Sequence, residues 1–257
     1  MQPEEAPAGA PPPRALDDAL ALMRDLRARC EWDRVQTHES LRPYLIEEAH
    51  EVDDAIAGGE DAVLRDELGD LLLQILFHAV VAEERGAFSI RDVAGALVAK
   101  MRARHPHLYG DGVKRDWETM KATSRRHVDE GLPRGLPALH RAQRLQDRAA
   151  GVGFDWPDAT GPLGKVREEA DEVQALLDAG ATPEALEEEC GDLLFAVVNL
   201  CRKVGVHGAL ALDRANAKFT ARMRAMQARA TERGLDFAAL TLAEQDALWD
   251  EVKRGGP

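Results

Sequence analysis

Two acidic patterns recur in this chain at nearly constant spacing. Glu47-Glu48-Ala49-His50-Glu51 precedes Glu67-Leu68-Gly69-Asp70, and Glu168-Glu169-Ala170-Asp171-Glu172 precedes Glu189-Cys190-Gly191-Asp192. Both halves read E-E-x-x-E, a gap of fifteen or sixteen residues, then E-x-G-D, with copies offset by 121 and 122 residues. Residues three apart share one face of a helix. Each half therefore predicts two helices presenting carboxylate pairs: Glu48, Glu51, Glu67 and Asp70 in the first, Glu169, Glu172, Glu189 and Asp192 in the second. Facing each other, such pairs form an all-oxygen site for a hard divalent cation. One isolated copy would read as a solvated helix face, because like charges on an exposed helix cost only a few tenths of a kcal/mol. Four converging carboxylates differ. Two unit charges about 6 Å apart at an effective dielectric near 20 repel by roughly 3 kcal/mol, so the cluster requires a cation or shared protons. Gly69 and Gly191 lie inside these helices at a cost of about 1 kcal/mol each relative to Ala, which predicts a close approach there by the facing helix or a ligand.

Basic and aromatic pairs follow each acidic set. Lys100-x-x-x-Arg104 is matched by Lys218-x-x-x-Arg222, and Trp117-x-x-x-Lys121 by Trp249-x-x-x-Lys253. Four-residue spacing puts each Lys/Arg pair on one helix face, where two cations suit phosphate oxygens. Seen alone, such pairs read as solvated patches and the tryptophans as core residues. Recurring after an acidic cluster, they point to a metal-bound polyphosphate, with Trp packing a base or ribose and the following Lys holding a phosphate. Upstream, Trp32-Asp33 matches Phe154-Asp155. The shared order of aromatic-Asp, E-E-x-x-E, E-x-G-D, K-x-x-x-R and W-x-x-x-K indicates a duplicated domain.

The elements that must position these residues read as helices throughout. Helices are expected over 15–30, from near Ser40 (with Pro43 in the first turn) to Gly58-Gly59, over 60–85, from Ser89 to before Pro106, and over 117–127. The second half repeats them over 163–179, 183–204 and 209–230, and a capping box at Thr241 and Glu244 opens a last helix. Aromatic residues are 5% of the chain, and no stretch alternates β-branched residues. The expected fold is all-α, with two tandem helical-bundle domains at 14–128 and 154–257. A Pro/Ala/Gly-rich tail (1–13) and a connector (129–153) with a basic helix over 138–150 complete the chain.

Net charge is −13, which argues against non-specific nucleic-acid binding. Three cysteines, Cys30, Cys190 and Cys201, form no C-x-x-C and suit reduced thiols in a cytoplasm. No signal peptide is legible, and the apolar run 71–82 is too short to span a bilayer. Gly164-Lys165 lacks the rest of a phosphate loop, and Gly151-Val152-Gly153 lacks a preceding strand. His105-Pro106-His107 marks a helix end better than a zinc site. Glu47-x-x-His50 has the spacing of a di-iron ligand pair, but Asp171 replaces the histidine in the second half, against an iron-dependent oxidoreductase. A non-catalytic helical module for binding nucleotide, metal or protein is the alternative from another class. As an interaction module with its acids forming a solvated face, it would show a melting temperature unchanged by Mg²⁺ or Mn²⁺.

The chain resembles the MazG family of bacterial nucleoside triphosphate pyrophosphohydrolases, within the all-α NTP pyrophosphatase superfamily. The resemblance spans about residues 20–254. It rests on both acidic sets, on 30–37 (CEWDRVQT), 104–107 (RHPH), 136–139 (LPAL), 152–156 (VGFDW) and 216–219 (NAKF), and on Trp249. It implies a dimeric, Mg²⁺-dependent enzyme, with Mn²⁺ as substitute, that hydrolyses NTPs of varied base to NMP and pyrophosphate in nucleotide-pool housekeeping or stress regulation. It further implies that the second domain is the main catalytic one. There Glu169, Glu172, Glu189 and Asp192 would bind metal, Lys218 and Arg222 would contact phosphates, and Trp249 and Lys253 would complete the pocket. Glu168 would serve as an outer acid or orient water. The first domain retains Glu48, Glu51, Glu67, Asp70, Lys100, Arg104, Trp117 and Lys121, so the resemblance leaves its activity open.

Overall fold

A computed structural model of the chain describes residues 14–110, 112–114 and 125–255. The 1–13 tail, Trp117, Lys121 and most of the helix expected over 117–127 lie outside the described residues. Among the described residues all regular structure is helical. The chain divides into two compact units, Met1–Lys114 and Arg115–Pro257.

The first unit contains α1 (Ala15–Arg29), α2 (Glu31–Val35), α3 (His38–Gly58), α4 (Asp61–Glu84), α5 (Ile90–Arg104) and α6 (Pro106–Tyr109). Helix α3 begins at His38, before the expected Ser40, because Thr37 and Ser40 form a capping box. Pro43 thus falls in the second turn rather than the first. Gly59 closes the helix in the left-handed region at φ 75°, a conformation that costs glycine nothing. The chain then reverses into α4, so α3 and α4 pack as a hairpin. Met23, Leu41, Leu76, Phe77, Val80 and Val81 form the core where α1, α3 and α4 meet. Helix α5, opened by a Ser89–Asp92 capping box, buries none of its residues.

The second unit contains α7 (Ala138–Gly151), α8 (Thr160–Asp178), α9 (Pro183–Lys203), α10 (Gly208–Glu232), a 3₁₀ turn at Phe237–Ala239 and α11 (Leu242–Arg254). Helix α8 starts three residues before the expected Leu163 because the Asp158 carboxylate accepts from the Thr160 amide at 2.8 Å. Pro162 then falls in the first turn, where its missing N–H costs nothing. Gly180, at φ 62°, and the Thr182 cap with Pro183 behind it turn the chain into α9. The α8–α9 hairpin is the most extensive helix pairing in this unit. Helix α7 packs on α9 as α1 packs on α4. Met226, Ala230, Leu248 and Val252 bind α10 to α11.

The facing helix does not closely approach Gly69 or Gly191: among the described residues, no atom outside the glycine's own helix backbone and chain neighbours lies within 4 Å of where a Cβ would stand at either. Both glycines are exposed.

Candidate functional site

Each hairpin brings acids from its two helices together. In the first unit, carboxylate oxygens of Glu48, Glu67 and Asp70 lie within 4.8 Å of one another; in the second, those of Glu169, Glu172 and Glu189 do. Glu48 and Glu169 occupy the same repeat position on α3 and α8, and Glu67 and Glu189 the same position on α4 and α9. The third member differs. Glu51 stays outside the first group, although its side chain hydrogen-bonds Glu48, and Asp192 stays outside the second.

The two clusters manage their charge differently. In the first, burial raises the Glu48 carboxyl above its usual range, and the nearby Asp70 charge adds to this. Only a neutral donor opposes the shift: buried Gln74 reaches Glu48 through Nε2 at 3.4 Å. In the second, the Lys165 ammonium stands 2.6 Å from Glu169 and 3.0 Å from Glu168. Its hydrogen bond holds the buried Glu169 below the usual carboxylate range. Glu172, hydrogen-bonded to Glu169 and facing the Glu189 charge, is raised. Glu169 and Glu172 are thus pushed in opposite directions in a site whose rim already holds a cation. Lys165 itself is raised by the two glutamates. A donor set of carboxylate oxygens only, with an ammonium already drawn to it, fits a hard divalent ion. Lys165 and Gln74 are the residues that sequence reasoning overlooked. Their repeat partners, Tyr44 and Ala196, differ in chemistry, so searching for what the halves share passes over them.

The basic and aromatic residues sit apart from the acids. Lys218 is exposed and Arg222 half-buried on α10. The Arg222 guanidinium lies 5.3 Å over the Trp249 ring, and Phe219 tilts against the same ring at 5.8 Å. Trp249 packs on the Met226–Leu248–Val252 core, so one of its faces is already taken by arginine. Lys253 is exposed in the last turn of α11. Among the described residues, no hydrogen bond or ion pair joins Lys218, Arg222 or Lys253 to the carboxylate cluster. In the first unit Lys100 is exposed and Arg104 half-buried on α5. Val93, Leu97 and Met101 form an exposed apolar stripe beside them.

The aromatic-Asp pairs are structural pins. Asp155 accepts from Arg202 and, at 3.1 Å, from Lys203, which ties the α7–α8 loop to the end of α9. Trp32 packs edge-on against Tyr44 and Phe77, with centroids 6.0 and 6.4 Å away. His50 is exposed and belongs to no ligand group, and His105 bonds the Met101 carbonyl at its helix end. All three cysteines are free thiols. No single helix among the described residues is long and apolar enough to cross a membrane.

Comparison with known proteins agrees with the repeat. The family model described as the MazG nucleotide pyrophosphohydrolase domain matches twice, at 36–109 and 163–227. Each match contains one acidic hairpin and one K-x-x-x-R helix. The nucleoside triphosphate pyrophosphohydrolase/pyrophosphatase MazG of Thermotoga maritima is 42% identical, covering 93% of this chain and 96% of its own. The nucleoside triphosphate pyrophosphohydrolase of Escherichia coli K12 is 41% identical, covering 93% and 97%. A Mycobacterium tuberculosis protein of the same name is 43% identical, over 54% of this chain and 46% of its own.

Proposed function

The chain belongs to the MazG nucleotide pyrophosphohydrolase family, and from that premise we propose that it hydrolyses nucleoside triphosphates to nucleoside monophosphates and pyrophosphate. Mg²⁺ is the proposed cofactor, with Mn²⁺ as substitute, and the second hairpin is the proposed catalytic centre. The observation behind this reading is the convergence of Glu169, Glu172 and Glu189 beside the Lys165 ammonium.

These three glutamates, with Asp192 one helical turn along α9 from Glu189, would hold the cation. Bound there, it would polarise the attacked phosphorus, acidify a coordinated water and neutralise the departing pyrophosphate. Glu169 enters as a carboxylate because Lys165 favours its charged form. Glu172, raised by Glu169 and Glu189, would meet the cation from the same helix as Glu169. Glu168, exposed on the outer edge of α8, orients the attacking water. Lys218 and Arg222 take the phosphate oxygens bidentately or singly, and Trp249 fixes the Arg222 plane while Lys253 closes the pocket.

A homodimer would bring the basic helices to the acids. Exposed Leu210, Leu212 and Phe219 on α10, like the α5 stripe, are apolar surface that a second copy would cover. Free thiols and a net charge of −13 suit the cytoplasm and a nucleotide rather than a nucleic-acid partner. In the first unit Glu48, Glu67 and Asp70 offer the same ligand types for a second cation, with Glu51, Lys100 and Arg104 retained in the sequence; Trp117 and Lys121 lie outside the described residues.

The test is direct. Incubation with an NTP and Mg²⁺ should release NMP and pyrophosphate in equal amounts. NDP and orthophosphate as the only products would overturn the assignment.

A further inference from the structure

Helix α10 carries five cations and two acids in a chain of net charge −13. Three of the cations, Arg214, Lys218 and Arg222, recur at every fourth residue. Each such step advances about 6 Å along a helix axis and about 40° around it, so the three form one row within about 80° of arc. Arg224 lies about 200° round from Arg222, on the far side. Arg214, Lys218 and Arg224 are exposed. Among the described residues no ion pair or hydrogen bond engages Arg214, and the neighbouring Asp213 stands about 100° round the helix from it.

The row has a direction. Its C-terminal member, Arg222, lies 5.3 Å over the Trp249 ring, beside the pocket that Trp249 and Lys253 complete. Further toward the C-terminus this face offers no unpaired cation, because Arg229 and Arg233 both meet Glu251, at 3.8 and 2.6 Å. Unpaired positive charge on the face therefore runs toward the N-terminus, from Arg222 through Lys218 to Arg214. Long side chains on a helix lean the same way. A phosphate chain that starts beside Trp249 follows that row. The first unit breaks it. The 118-residue offset that aligns Lys100 with Lys218 puts Ala96 where Arg214 stands, so α5 keeps only the last two positions.

We propose that Arg214 holds the terminal phosphate of the substrate and so selects triphosphates over diphosphates in the second unit. The inference rests on the pyrophosphohydrolase reading and adds to it a residue that measures the length of the phosphate chain. Arg222 and Lys218 meet the phosphoryl groups nearer the nucleoside, which triphosphates and diphosphates share. Arg214 meets the group that only a triphosphate has. Its planar guanidinium can donate two parallel N–H bonds to the terminal oxygens, which an ammonium cannot.

The test is calorimetric binding of two non-hydrolysable nucleotides to the full chain in Mg²⁺ buffer. α,β-Methylene ATP and α,β-methylene ADP differ by the terminal phosphate alone. The wild-type protein should favour the triphosphate by more than about tenfold, and Arg214→Gln should remove about tenfold of that preference while leaving the diphosphate within about twofold. Glutamine is a good helix former at an exposed position, so folding is not at stake. Arg214→Lys keeps the charge without the fork and should restore part of the preference. Arg224→Gln removes the same charge from the far side of the helix and should change neither affinity. Equal weakening of both analogues by Arg214→Gln would overturn the proposal. So would the same loss with Arg224→Gln, or a wild-type protein that binds the two analogues alike. Binding is read without turnover, which separates the two readings. A protein with this binding pattern that releases no pyrophosphate loses the catalytic reading. One that releases NMP and pyrophosphate, with binding unchanged by Arg214→Gln, loses only the terminal-phosphate contact.

Discussion

The two acidic hairpins are built from one plan and differ in what stands beside the acids. In the first, a neutral amide, Gln74, reaches Glu48, and Glu48 responds by holding its proton more tightly. In the second, Lys165 supplies a full positive charge at 2.6 Å, and the raised group becomes Glu172 instead. In the first hairpin only a neutral amide opposes the repulsion on Glu48, whereas in the second an internal cation does so on Glu169. A site of the second kind keeps more of its carboxylate charge near neutral pH and is the better prepared for a divalent ion. The flanks of the two bundles differ as well: in the first, Arg27 and Trp32 pack on the Phe77 ring beside a cavity of about 320 Å³, and in the second a cavity of about 600 Å³ lies beside Ala149 and Asn199.

The largest expected effect tests whether the second hairpin dominates. Glu172→Gln should lower turnover by more than about 100-fold, beyond what outer partners of metal sites cost, and Glu51→Gln should lower it far less. Equal losses, or the reverse order measured in steady-state assays, would erase the functional distinction between the halves. Next comes the counter-ion. Lys165→Met should lower the melting temperature of the metal-free protein and enlarge the stabilisation produced by adding Mg²⁺, since the ion would relieve more repulsion. Tyr44→Phe, at the matching position, should alter neither quantity. A Lys165→Met protein with an unchanged Mg²⁺ response would remove the proposed charge role.

A pH effect should be present in both units. His78, beside His38 across α3 and α4, and His140, beside His207, are each held below the ordinary 6.5 by burial first and the neighbouring imidazole second. The unfolded chain therefore binds more protons than the fold below about pH 6.5. Stability from these neutral histidines is complete above that value and is lost as pH falls through their lower folded values. Melting curves between about pH 7.5 and 5 should show this decline, and His78→Gln with His140→Gln should flatten it. An unaltered slope in the double variant would assign the decline to carboxylates instead. The smallest effect concerns glycines. Gly191→Ala meets open space inside a helix and should raise stability by about 1 kcal/mol. Gly161→Ala meets the Trp156 ring and should instead displace it and lower stability. If Gly191→Ala destabilises the protein, a second copy closes on α9 at that point.

Much of this was legible from residue order. E-E-x-x-E and E-x-G-D announced two facing helices per half because three-residue spacing is a helical property that needs no partner to be recognised. Turn chemistry marked their ends: Gly59 and Gly180 stop α3 and α8, and Thr182-Pro183 starts α9. Other features were hidden because they depend on the partner across the hairpin. Thr37 displaced Ser40 as the start of α3 through a reciprocal bond between the two. Asp192 and Glu51 share the spacing of their neighbours yet fall outside the clusters, because side-chain direction across two packed helices is not a periodicity. The expected close approach at Gly69 and Gly191 was read from the helix cost of glycine alone, and the space beside both is open.

The sequence alone determined that this protein is a duplicated all-helical chain with acids, cations and aromatics in a fixed order, since local spacing and capping are encoded residue by residue. Tertiary structure decided which three acids meet in each unit, that Lys165 faces Glu169, and that Arg27 and Trp32 gather on the Phe77 ring. Those outcomes depend on distances between helices, and a distance of that kind has no counterpart in the order of residues along one helix.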